Sequence, residues 1–183
     1  YNCAYYLFGA ALNVFFPLYA LTCVLSSVTL ILVLSRTEVE GVAAGFEPHT
    51  PARLVGGYLT FVGVSLGCVW IAMWAAYAFA GRATPVEPEA FKLVAALDLS
   101  MMVTALVFGG VLLWRKQAWG YVIAAITGIQ GALYLMVLTV NAFVAIERGF
   151  AQPPGELPVW GTLAVITTIA VALLLSHVRP ERR

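Results

Sequence analysis

Asp98 is the residue most able to do chemistry, because everything around it is apolar. It stands in an uncharged run over residues 93–114, otherwise built from Leu, Val, Ala, Met, Phe, Ser, Thr, Gly and Trp. A carboxyl group at the centre of a membrane helix costs roughly 2.5–3.5 kcal/mol on insertion scales, so it needs a partner, a proton or water. That demand suits a site for a proton, a cation or an amine. It equally suits an acid that only hydrogen-bonds a neighbouring helix, and both readings stay open. A polar stripe lies further along the chain. Thr127, Gln130, Tyr134 and Asn141 fall within about 60° of one another on a 3.6-residue wheel. Together with Asp98 they are the candidate binding residues for a small molecule or ion.

Other motifs fail on context. Gly63-Val64-Ser65-Leu66-Gly67 matches G-x-S-x-G, yet a nucleophile elbow needs a strand-to-helix turn and this segment sits inside an apolar run. A Ser–His protease needs a histidine at the depth of Ser65, and the two histidines, His49 and His177, lie in a loop and at the edge of the last run. The same count excludes haem held by buried histidines. Cys3, Cys23 and Cys68 show no C-x-x-C or metal-type spacing and read as inert thiols. Glu87, Glu89, Glu147 and Glu156 share one side and read as solvated lip charges rather than a divalent-ion site. No catalytic residue, resident metal or cofactor is expected, and the chain does not read as an enzyme.

The elements that must position Asp98 are apolar runs over residues 18–34, 54–80, 93–114, 119–146 and 157–177, with Asp98 their only charge. About 20 apolar residues at 1.5 Å rise span a hydrocarbon core of roughly 30 Å. Hydrophobic residues make up 62% and charged residues 10% of the 183, against roughly 25% charged in soluble domains. The expected fold is therefore an all-α polytopic transmembrane bundle, a single domain with lipid as its surroundings. Its five crossings are residues 17–35, 54–80, 91–114, 119–146 and 158–178. A net charge of +1 without clustered Lys and Arg excludes nucleic acid as a partner.

Residues 1–35 carry no charge. As one helix they would reach about 52 Å, too long for one crossing. Pro17 cannot donate to the carbonyl of Asn13, so a break is expected there, leaving residues 1–12 as a helical stub. The uncharged start, which is not a signal peptide, reads as the trimmed end of a longer protein with helices upstream. A homo-oligomer, with a small-residue helix face as its seam, is the alternative partner.

Small residues mark helix contacts. In lipid, helices associate by close backbone approach. Gly120, Ala124, Gly128 and Ala132 recur every four positions with Gly131 beside them, and Gly63 and Gly67 form a second pair. The connection Arg115-Lys116-Gln117-Ala118 is so short that the flanking crossings must be antiparallel neighbours. Residues level with each other across it sum to about 233 at equal rise per residue. That count sets Asp98 level with Leu135, beside Tyr134. Pro88 between Glu87 and Glu89 reads as a helix start.

The segments Tyr1-Asn2-x-Ala4-Tyr5-Tyr6-Leu7-Phe8-Gly9, Leu97-Asp98-Leu99-Ser100, Trp119-Gly120-Tyr121 and Pro154-Gly155-Glu156-Leu157-Pro158-x-Trp160-Gly161 carry a resemblance. The chain resembles the C-terminal part of a family of uncharacterised bacterial multi-pass inner-membrane proteins. The resemblance implies further helices before the tyrosine-rich segment and implies no activity. Two functions are then expected as alternatives. One is binding or transport of a small molecule or ion at Asp98; the other is a non-catalytic structural or assembly subunit.

Lys and Arg set the orientation. Arg36, Arg53, Arg115, Lys116, Arg179, Arg182 and Arg183 collect on one side, against Arg82, Lys92 and Arg148 on the other. The first side, with the C-terminus, is expected in the cytoplasm, beneath an inner membrane. Single cysteines replacing Gln117 and Gln152 in a cysteine-free chain should label from opposite faces of the membrane. Labelling of both from one face would overturn the topology.

Overall fold

The computed structural model describes residues 1–179. Arg182 and Arg183, counted for orientation, lie outside the described residues. The chain is 78% helical with no strands among those residues. Its helices are α1 (Asn2–Gly9), α2 (Phe16–Arg36), α3 (Val39–Ala44), α4 (Ala52–Ala80), α5 (Pro88–Leu97), α6 (Thr104–Trp114), α7 (Ala118–Glu147) and α8 (Leu157–Leu175). A π-helical segment, Asp98–Val103, joins α5 to α6. Five spans are long and apolar enough to cross a membrane: α2, α4, the continuous stretch Pro88–Trp114, α7 and α8. The all-α polytopic architecture is as the apolar runs require, with ends shifted by no more than three residues. The chain is an integral membrane protein.

The described residues form two compact units. The first comprises Tyr1–Glu38 and Val62–Thr104; the second comprises Val39–Phe61 and the chain from Ala105 onward.

In the first unit the break before Pro17 is real. α1 ends at Gly9, and Asn13 organises the restart. Its Oδ1 accepts the Phe15 N–H at 2.8 Å, and its carbonyl accepts the Phe16 N–H at 3.1 Å. Pro17 then occupies the first turn of α2, where its missing N–H leaves nothing unpaired. The stub packs on α2 and α5. Gly9 meets the Leu93 side chain so closely that a Cβ would lie 2.5 Å from it. Gly67 faces Val103 and Leu99, and Gly63 is buried. α5 starts at Pro88 with Glu89 in its first turn.

The second unit is built on backbone contact. All four members of the Gly120–Ala124–Gly128–Ala132 series are buried. A Cβ on Gly120 would fall within 2.6 Å of the Leu113 backbone, and one on Gly109 would fall 2.6 Å from the Ile123 side chain. These partners, 113 with 120 and 109 with 123, keep the register counted across the short loop. The loop itself is a Schellman turn. Lys116 takes φ 55°, its N–H donates to Leu113 O at 2.8 Å, and the Gln117 N–H donates to Leu112 O at 2.9 Å. Gly128 meets Val171, Gly131 meets Thr167, and Gly161 meets Thr139. α7 and α8 therefore run antiparallel along the same small-residue face. A second seam, between Gly56 and Gly110, brings a would-be Cβ to 2.5 Å from a carbonyl oxygen. Tyr58 and Thr167 share a hydrogen bond of 2.6 Å between α4 and α8.

These contacts separate glycines that must be glycine from those that need not be. Gly120→Ala should destabilise the folded protein by about 1–3 kcal/mol, since the added methyl meets backbone and not a movable side chain. Gly57, with nothing within 4 Å of a Cβ, should accept Ala without loss. Thermal unfolding of both variants in one detergent checks this. Equal melting temperatures would contradict the backbone-contact account.

Candidate functional site

Asp98 is 9% exposed and accepts one hydrogen bond on each oxygen. Tyr1 donates its hydroxyl to Oδ1, and Trp70 donates its indole N–H to Oδ2 at 2.9 Å. All three residues belong to the first unit. Hydrogen bonds to a charged group contribute roughly 1.5–3 kcal/mol each. Two of them are enough to offset an intramembrane carboxylate. A carboxylate has about four lone-pair positions, so two donors do not exhaust it.

Asp98 also opens the π segment. Within Pro88–Trp114 the helix widens from i→i−4 to i→i−5 spacing over Asp98–Val103. The Ser100 hydroxyl donates to Ala96 O, and the Thr104 hydroxyl reaches Leu99 O, five residues back, at 3.1 Å. Such insertions recur at functional sites because they re-aim side chains on one turn. Here the re-aimed turn is the one that carries the acid.

Trp70 joins Asp98 to a cleft. Its ring meets Phe91 edge-on, with centroids 5.3 Å apart, and both rings line an opening of about 560 Å³. Trp74, Tyr77, Ala95 and Leu99 complete the apolar wall, and Glu89 and Lys92, themselves an ion pair, sit at the polar end. Phe91 is buried, whereas Trp74 and Tyr77 are about half exposed. The cleft thus has an aromatic interior, a charged lip and a buried acid behind one wall.

The stripe on α7 belongs to the second unit. Thr127 is buried and donates to its own helix at Ile123 O, 2.8 Å away. Gln130 and Asn141 are exposed, and Tyr134 is 36% exposed. The count that set Asp98 level with Leu135 took equal rise per residue, and it ends on the π segment that begins at Asp98.

Trp70 and Tyr1, the donors to Asp98, are absent from the set expected from sequence. Trp70 had a signal. Counting across the outer loop as across the Lys116 turn, from a centre near residue 85, sets Trp70 about level with residue 100, within a turn of Asp98. The contact of Tyr1 depends on how the stub folds back, which no spacing encodes.

Compared with protein-family models, with curated proteins and with solved structures, the chain matches none.

Proposed function

We propose that this membrane protein binds, and in that capacity carries or presents, a small amphipathic molecule with a cationic or hydrogen-bond-donating head. The observation that supports this most is the double role of Trp70. One indole makes the wall of the aromatic cleft and is held there by the buried carboxylate of Asp98. The cleft volume lies in the range of about 300–1,000 Å³ usual for small-molecule sites. Aromatic faces attract a cation by about 0.5–2 kcal/mol. Asp98 adds negative charge behind Trp70. An apolar tail fits the Phe91, Ala95 and Leu99 side, and the Glu89–Lys92 pair offers both charges to a polar head. This reading rests on the first unit alone; Thr127, Gln130, Tyr134 and Asn141 carry no part of it.

A second reading, an assembly subunit, has one observation in its favour. None of the 21 residues of α2 is buried, although its Thr22, Ser26 and Thr29 line one shallow groove. A transmembrane face of that kind suits another helix.

Ligand binding is tested with the full chain in lipid nanodiscs, which avoids competition by detergent for the cleft. Tryptophan fluorescence is followed during titration with a decyl trimethylammonium salt and, in parallel, an uncharged decyl glycoside. Wild type should saturate with the cationic probe. Asp98→Asn, which keeps an acceptor for Trp70, should weaken the cationic probe about tenfold, or 1.4 kcal/mol, and leave the neutral one nearly unchanged. Asp98→Ala should weaken both by freeing Trp70. Absence of saturation, or equal affinities across the three proteins, would refute the binding reading.

A further inference from the structure

Both histidines of the chain meet one carboxylate at a single place in the second unit. Glu47 and His49 lie in the segment between α3 and α4, and His177 follows α8. The Glu47 carboxylate and His49 Nε2 are 2.7 Å apart, and the two imidazole rings meet edge-on with centroids 5.4 Å apart. One ligand atom from each of the three residues lies within 4.8 Å of the others.

The backbone beneath them is fixed before any ligand arrives. The Glu47 N–H donates to His177 O at 2.9 Å, and the Arg179 N–H donates to Gly45 O at 2.8 Å. Between these bonds, Phe46 and Val178 pair as an isolated antiparallel bridge. Phe46 is anchored by its ring against Tyr121 of α7, with centroids 4.7 Å apart. Two segments distant in sequence are therefore held in register with Glu47 and His177 adjacent.

His177 is also oriented as a metal-binding histidine is. Its Nδ1 lies 2.7 Å from the carbonyl oxygen of Leu173. That bond requires the proton on Nδ1 and leaves the Nε2 lone pair available. A ligating imidazole usually donates its other N–H to a carbonyl or carboxylate, which sets the tautomer and the ring plane.

We propose that Glu47, His49 and His177 form a binding site for a borderline divalent metal ion of the Zn2+ class. Two imidazoles and a carboxylate are the ligand set suited to that class, and a hard ion such as Mg2+ would demand more oxygens. At metal–ligand distances of about 2.0–2.2 Å, tetrahedral ligands stand about 3.3 Å apart. Glu47 and His49 need to open by about 0.6 Å, and no pair needs to close by more than about 1.5 Å, to reach that spacing. His49, 74% exposed at its side chain, is free to make the adjustment. The fourth position faces solvent and takes water. The ion clamps the segment after α3 to the end of α8, at a junction the backbone bonds already define.

The test uses the full chain without a histidine tag. Cys3, Cys23 and Cys68 are replaced by Ser so that thiols supply no competing ligand. Zn2+ is titrated against a chromogenic chelator, and thermal unfolding is recorded with and without the ion. Wild-type residues at the three positions should give one saturable equivalent of Zn2+ and a raised melting temperature. His49→Ala should weaken binding at least tenfold and abolish the thermal shift. The exposure of His49 makes that variant a fair test, because its loss leaves the fold unchanged in the absence of metal. Glu47→Gln should weaken binding as well. No saturable equivalent, or His49→Ala binding Zn2+ as tightly as the parent, would overturn the site.

Discussion

A carboxyl group inside an apolar helix has to be met by donors, and the first unit is arranged around that requirement. Asp98 is held by one hydroxyl and one indole N–H, from residues 97 and 28 positions away in sequence. Satisfying it brings the stub, α4 and the Pro88–Trp114 helix to one point. The helix departs from α geometry at the same residue. The donor that serves Asp98 is also the wall of the cleft, so the constraint that places the acid shapes the opening beside it. Polar satisfaction in a medium without water is the dominant demand on such structures.

The second unit answers a different constraint. Lipid tails are as apolar as leucine, so apolar burial gives helices little reason to associate, and close packing must do so instead. Gly56 against Gly110, Gly120 against Leu113 and Gly128 against Val171 bring the helices to a separation that side chains would forbid. The large aliphatic residues point outward: Ile126, Ile129, Leu133, Val137 and Val140 of α7 are each at least 43% exposed. The helix is inside-out relative to a soluble core, with small residues inward and large ones toward lipid.

Most of the architecture was legible because length and apolarity decide it. Uncharged runs gave the five spans, Pro17 gave the break, and the four-residue loop gave the register that places Gly120 on Leu113. The π segment was not legible, since one inserted residue leaves the apolar pattern unchanged. The partners of Asp98 were half legible: Trp70 follows from counting across the outer loop, whereas Tyr1 does not. His49 and His177 were visible only as loop and edge residues, and Glu47 carried no signal of its own. Their meeting depends on a two-residue backbone bridge between Phe46 and Val178, which carries no periodic signal. The seam between Gly56 and Gly110 escaped because each glycine stands outside any four-residue repeat of its own type.

The bond between Trp70 and Asp98 is the link on which the account of the site depends. Nitrogen-15 labelled indole NMR of the full chain in nanodiscs reads it directly. The Trp70 indole proton should resonate downfield of those of Trp74, Trp114 and Trp119, and should exchange with deuterium more slowly than that of Trp160, whose bond to Glu156 is exposed. In Asp98→Ala it should move upfield and exchange at once. An indole signal unchanged by that substitution would show that Trp70 does not donate to Asp98, and would contradict the account.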